Sequence, residues 1–278
     1  MTTITSTPLV PVAPPALAGA ASDTAALFAR HVRHIARTPE KLLGVTLMPV
    51  AYVVIFGVLF GAAIALPGGS SYGEYLMAGI FTQTMLSTVS STALGVADDL
   101  GNGLVDRFRS LPMSQGAVLL ARTASNLVLS LVSITVMALV GLLIGWRVSA
   151  GAAAALGAVG LLLLFGFAMS WLGALIGLVV RGAEAISAVA FLIVMPLTFL
   201  SNAFIPLNGL PAWLRAVCEW NPISSVVAAC RELFGNPAPA GDSFPAAHPI
   251  PMAVALTLAV LLVTAPLAVR AYRSAVAR

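Results

Sequence analysis

The sequence predicts an all-α integral membrane protein with six transmembrane helices, and three observations lead there. Of 278 residues 59% are hydrophobic and 9% charged, whereas a soluble fold needs roughly a quarter of its residues charged to cover its surface. The 14 basic and 10 acidic residues are gathered into a few short segments. Between those segments lie six stretches without Asp, Glu, Lys or Arg, each long enough to supply the roughly 20 apolar residues a helix needs to cross the hydrocarbon core. This pattern excludes a cytosolic enzyme, a disordered chain and a nucleic-acid-binding domain. The net charge of +4 reflects where the arginines sit, not a basic patch, so no nucleic-acid partner is expected.

The elements follow in chain order. Residues 1–23 make a Pro, Ala and Thr-rich tail with neither the basic start nor the apolar run of a signal peptide, and are read as disordered. Thr24 to Thr38 is too polar to cross but two-faced at about 100° per residue, with Phe28, Val32 and Ile35 opposite Arg30, Arg33 and Arg37. It reads as an N-terminal amphipathic interfacial helix on the inner leaflet, its arginines at anionic headgroups. His31 and His34 share that helix and read as membrane-surface residues, not metal ligands. Thr38-Pro39-Glu40 then turns the chain into the bilayer. Spans are expected at 42–66, 75–97, 123–146, 153–180 (within the uncharged run Val148 to Val180), 185–207 and 250–269.

An even number of spans puts both termini on one side, and the basic residues choose it. With the N-terminus inside, Arg30, Arg33, Arg37, Lys41, Arg107, Arg109, Arg122, Arg181, Arg270, Arg273 and Arg278 are cytoplasmic, and Arg147, Arg215 and Arg231 are outside. The expectation is a multi-pass protein of the cell membrane with both termini cytoplasmic.

Two segments carry candidate function. In the second span Gln83, Thr84, Ser87, Ser90 and Ser91 share an arc of about 120°, opposite Met85, Leu86, Val89, Ala93 and Val96. The apolar arc is expected to meet lipid. The polar arc, with Asn202 at the polar close of the fifth span, is the candidate substrate path; interhelical packing of hydroxyls is the alternative. The stretch Asp98 to Ser114 is far longer than a turn requires and sets Leu104, Val105, Phe108 and Leu111 among Asp106, Arg107 and Arg109, ahead of Pro112. An apolar strip framed by charge predicts docking to another protein.

Asn208 to Pro249 is too long for a turn and too apolar for a soluble loop. Trp213, Trp220 and Phe234 fall in two short helical pieces parted by Asn221-Pro222, so outer re-entrant or interfacial helices are expected before the last span. Cys218 and Cys230 lie there; they either pair, if the outside is oxidising, or act as small apolar fillers. Phosphate-loop, hydrolase-elbow and metal-ligand spacings do not occur in the sequence. Nor does any span carry an ionisable group that could couple transport to protons. Energy for uphill transport has to come from elsewhere.

Three stretches stand out: Arg37-Thr38-Pro39-Glu40 with Leu47-Met48-Pro49 and Phe56 to Gly61; Gly103 to Ser114; and Phe199 to Leu207 with Pro211 to Leu214, Asn221-Pro222 and Arg231. Together they resemble a known family, the type-two ABC exporter permeases, and within it the daunorubicin-resistance-type drug and lipid exporters. The resemblance implies that residues 24–278 form one type-two ABC transmembrane domain. It implies a half-transporter that dimerises, a homodimer being expected, and pairs with a separate ABC ATPase, two copies per complex. ATP and Mg would then bind the partner, with no cofactor and no catalytic residue in this chain. Residues 98–117 would be the cytoplasmic coupling helix, with Leu104, Asp106, Arg107, Phe108, Arg109, Leu111 and Pro112 at the ATPase. Export of an amphipathic drug, polyketide or lipid by alternating access, with antibiotic resistance as its consequence, is the implied function; the competing readings are a non-transporting membrane scaffold or sensor, and a polysaccharide permease. The aromatic content of 7% weighs against the last.

Overall fold

The computed structural model describes residues 47, 50–56, 72–101, 115–204, 206–207, 209–236 and 243–276. All regular structure among these is helical. After a helical stretch at 50–56 come α1 (Tyr72–Leu86), α2 (Thr88–Gly101), α3 (Gln115–Leu143), α4 (Ala152–Val179), α5 (Ala183–Phe199), α6 (Ala212–Glu219), α7 (Pro222–Phe234), α8 (Phe244–Ala247) and α9 (Pro249–Val276). Among the described residues, three helices are long and apolar enough to cross a membrane: Arg122–Leu143, Ala152–Val179 and Pro249–Ser274.

The expected spans meet these helices unevenly. The fourth agrees within a residue at each end. The second is realised as α1 and α2, one rod with a fault at Ser87. There the hydroxyls of Ser87 and Thr88 donate to the carbonyls of Thr84 and Met85, both at 2.7 Å, and Ser91 N reaches Ser87 O at only 3.4 Å. Hydroxyls that compete for nearby carbonyls loosen the helical ladder in this way. The rod runs on to Gly101, so Asp98 and Asp99 belong to helix and not to the connection. The helix matching the third span, α3, begins at Gln115 and stops at Leu143, short of Gly145 with its φ of 100°. The fifth ends eight residues early, at Phe199. The interfacial helix, most of the first span and residues 102–114 of the coupling segment lie outside the described residues.

The centre of the bundle is α4, in contact with α1, α2, α3, α5, α7 and α9. Its face toward α1 and α2 is built of small residues, Gly166, Ser170, Gly173 and Gly177, all buried. A Cβ on Gly173 would strike the Val89 carbonyl, and one on Gly177 the Ala93 carbonyl. Such backbone-to-backbone approach is how helices gain contact in lipid, where apolar burial alone favours no pairing. This contact corrects one expectation. Met85, Leu86, Val89 and Ala93 are fully buried and Val96 is 3% exposed, so the apolar arc of α1–α2 faces the protein interior, not lipid.

At one end of the bundle Phe81, Trp146 and Phe234 interlock, with ring centroids 5.1 to 5.6 Å apart. There Ser149 joins the α3–α4 connection to the end of α7, its N–H donating to Phe234 O at 2.9 Å and its hydroxyl to Gly235 O at 2.7 Å. The two short helices expected between the fifth and sixth spans are present as α6 and α7, parted at Trp220-Asn221. Trp213, Val217 and Trp220 follow one another at helical spacing and are 70%, 48% and 57% exposed, an aromatic edge suited to headgroup depth. Cys218 and Cys230 are free and buried, which fits the apolar-filler role and not a disulfide.

Candidate functional site

The most polar buried region joins α1 to the end of α5 and to α7. The helix α5 stops at Phe199, and the turn of residues 200–204 must find partners for the carbonyls that this termination frees. Two side chains from the next segment supply them. Asn221 caps α7 by accepting from Ile223 N at 2.9 Å, while its amide donates to Leu197 O at 2.7 Å and Leu200 O at 2.6 Å. Pro222 at the first helical position suits such a cap. One asparagine thus starts one helix and closes another.

Arg231 does the rest. Counted among the outer charges by sequence, it is 1% exposed in the structure. Its Nε donates to Tyr75 O at 3.0 Å, and Nη2 to Asn202 O at 2.8 Å and Ala203 O at 3.3 Å. The guanidinium also lies 3.5 Å from the centroid of the Tyr75 ring, a desolvated cation–π geometry. Tyr75 in turn donates its hydroxyl to Asn202 O at 2.9 Å, and Tyr72 to Phe204 O at 3.1 Å. Ser224 accepts from Asn202 N at 3.1 Å. Gly79 lets the turn sit against α1, for a Cβ there would collide with the Ala203 carbonyl. Among the described residues Arg231 Nη1 and Asn202 Oδ1 have no hydrogen-bond partner.

The candidate path residues divide around this core. Gln83 is half-buried and accepts from Thr198 Oγ1 at 2.9 Å, which ties α1 to α5. Thr84 is buried, its hydroxyl on Ile80 O and the Met137 sulfur. Ser90 is half-buried, while Ser87 and Ser91 are exposed. Asn202 sits in the arginine cluster. The structure therefore brings Gln83 and Asn202 to the seam between α1 and the end of α5, and leaves Ser87 and Ser91 on the open side of the rod. The coupling residues Leu104, Asp106, Arg107, Phe108, Arg109, Leu111 and Pro112 lie outside the described residues. Tyr75, the capping role of Asn221 and the burial of Arg231 escaped sequence reasoning. The available signal was an arginine, with Glu232 beside it, in the otherwise apolar run Val226 to Phe234.

The family described as ABC-2 type transporter matches residues 22–234, from before the first expected span to the last residue of α7. The chain belongs to the ABC-2 type transporter family. It is 31% identical over 224 residues to the daunorubicin resistance ABC transporter permease protein DrrB1 of Streptomyces coeruleorubidus, covering 81% of this chain and 79% of that one. It is 29% identical over 209 residues to the doxorubicin resistance ABC transporter permease protein DrrB of Mycobacterium tuberculosis, covering 71% and 72% respectively. This ABC-2 chain is accordingly a membrane-embedded permease subunit of an ABC transporter, in a family whose permeases work with an ABC ATPase.

Proposed function

We propose that this permease exports an amphipathic drug, polyketide or lipid by alternating access, as half of a homodimer served by two ATPase subunits that hold the ATP and Mg. One observation supports this above the others. The rod α1–α2 buries its apolar arc and leaves Ser87 and Ser91 exposed beside half-buried Gln83 and Ser90. Ser87 and Ser91 bond back to Thr84 O and Thr88 O, but a face that groups these hydroxyls with the Gln83 amide favours a water-filled path or another polar surface opposite it over lipid. A scaffold has no use for such a face. The daunorubicin and doxorubicin resistance after which the two relatives are named supports an amphipathic class of cargo.

In this reading six spans cross the cell membrane with both termini cytoplasmic, and the segment between α2 and α3 receives the ATPase's motion. Phe108 and Leu111 supply apolar docking area, while Asp106, Arg107 and Arg109 set orientation and association rate. ATP-driven closure shifts the permease only to the extent that these contacts differ between ATPase states. The test is daunorubicin uptake into inside-out vesicles holding the chain with its ATPase. ATP-dependent accumulation that vanishes when this chain is omitted is expected. An assembled complex that hydrolyses ATP yet moves no amphipathic probe supports the scaffold reading and overturns this one.

A further inference from the structure

At the end of the bundle opposite the Arg231 cluster, α2 terminates and α3 begins. Asp99, in the last turn of α2, forms an ion pair with Arg122 of α3, the two side chains 35% and 20% exposed, and the neighbouring Asp98 adds a second negative charge acting on the guanidinium. An arginine at this depth would ordinarily extend along its own helix toward headgroup water. This one is folded back across α2. It can lie there because residue 95 is glycine: a Cβ on Gly95 would occupy the place of the Arg122 guanidinium. One turn further along α3, Asn126 donates to Thr92 Oγ1 at 2.7 Å, with Thr92 fully enclosed. One turn earlier, Leu119 is buried in a cluster with Val96, Trp171 and Tyr272 from three other helices. An apolar anchor, an ion pair and a hydrogen bond thus follow one another up the α2–α3 contact, directly above the two ends of segment 102–114.

We infer that Asp99 and Arg122, seated by Gly95, are positioning residues that clip the two ends of segment 102–114 into one unit, so that a push on that segment moves α2 and α3 together. This rests on the coupling reading above. Without the clip, force on the segment is dissipated in parting the two helices. With it, force reaches α4 and α9 through the cluster around Trp171 and Tyr272. The ion pair is partly exposed and contributes little to overall stability; what it supplies is mutual placement.

The experiment measures daunorubicin transported per ATP hydrolysed by the reconstituted complex of permease and ATPase. Asp99→Asn removes the pair. Gly95→Ala keeps both charges and displaces the guanidinium, which is the free end of a flexible side chain and can move without disturbing the helices. Both variants are expected to hydrolyse ATP while transporting several-fold less per ATP, and Asp99→Glu, which preserves the pair, to stay within about two-fold of wild type. A merely structural pair would lower transport and hydrolysis in proportion, leaving the ratio unchanged. A wild-type ratio in Gly95→Ala and Asp99→Asn overturns the clip. Should Asp99→Asn fail to assemble, Gly95→Ala decides alone. The combined variant Phe108→Ala, Leu111→Ala distinguishes the two readings. If it leaves stimulated ATPase activity intact, the coupling reading fails and takes the clip with it. If it abolishes stimulation while the clip variants keep their ratio, the clip alone is wrong.

Discussion

Replacing Arg231 by methionine removes two charge-assisted hydrogen bonds of 2.8 and 3.0 Å, a weaker one of 3.3 Å and the contact with the Tyr75 ring. Hydrogen bonds to charged groups are worth about 1.5–3 kcal/mol each in mutational series, and a desolvated cation–π contact about 2 kcal/mol, which gives a gross loss of about 5–8 kcal/mol. Two effects reduce it. Methionine spares the several kcal/mol that burying a guanidinium costs, and interhelical bonds in bilayers average only about 0.6 kcal/mol because the unfolded chain finds partners there too. A net loss of about 2–4 kcal/mol remains, and at about 2–4 °C per kcal/mol the melting temperature should fall by about 4–16 °C. Arg231→Lys should fall at least as far: it keeps a buried charge, yet one ammonium cannot span the carbonyls of Tyr75 and Asn202 as a planar fork does. Thermal unfolding in detergent with a thiol-reactive fluorophore reads this directly, since Cys218 and Cys230 are free and 2% and 0% exposed. A shift under about 1 °C in Arg231→Met, or a lysine variant clearly more stable than the methionine one, would refute the argument that this arginine holds the turn of residues 200–204.

Three further outcomes are expected. Gly173→Ala drives a Cβ into the Val89 carbonyl, a clash no side-chain rotation relieves, and should cost about 1–3 kcal/mol; Gly160→Ala on the same helix meets nothing within 4 Å and should be neutral or gain up to about 1 kcal/mol of helix propensity, so equal melting temperatures would sink the close-packing account. Gln83→Leu breaks the bond to Thr198 at a cost of about 0.6 kcal/mol and should alter which substrates are exported, judged against Leu192→Ala, a 72% exposed control; a uniform loss for every substrate would count against a path role. A cysteine at Gly73 should label from outside intact cells and one at Gln115 only after permeabilisation, and the reverse pattern would invert the topology.

How far the sequence disclosed this molecule depended on which physical signal marks each feature. Uncharged length marks a span, and Arg181 closes the run in which α4 lies, whereas Arg147 stands five residues before Ala152 and leaves the start of the helix open. Periodicity marks two faces of α1–α2 but not their direction, since lipid is as apolar as a protein core. The direction was written instead in α4, where Gly166, Ser170, Gly173 and Gly177 recur at spacings of four, three and four. Counting charges by side put Arg231 among the outer charges and missed its burial, because the count takes no account of what a guanidinium can reach.

The end of α5 is the clearest case. From Phe199 to Leu207 the composition is apolar apart from Ser201 and Asn202, and Pro206 disfavours helix only over the last turn of that stretch, so a stop as early as Phe199 is not written locally. The broken segment persists because distant side chains answer its carbonyls: Asn221 from 21 and 24 residues away, Arg231 from 28 and 29, and Tyr75 from 127. Irregular backbone within a membrane protein is tolerated only where protein or water satisfies it. Here a single arginine binds both the turn and the backbone of α1, so the turn cannot swing away from α1 without exposing several polar groups at once. The segment that closes this end of the bundle is therefore coupled to the rod that carries Gln83, Ser87 and Ser91, and a displacement of α1–α2 must carry that closure with it.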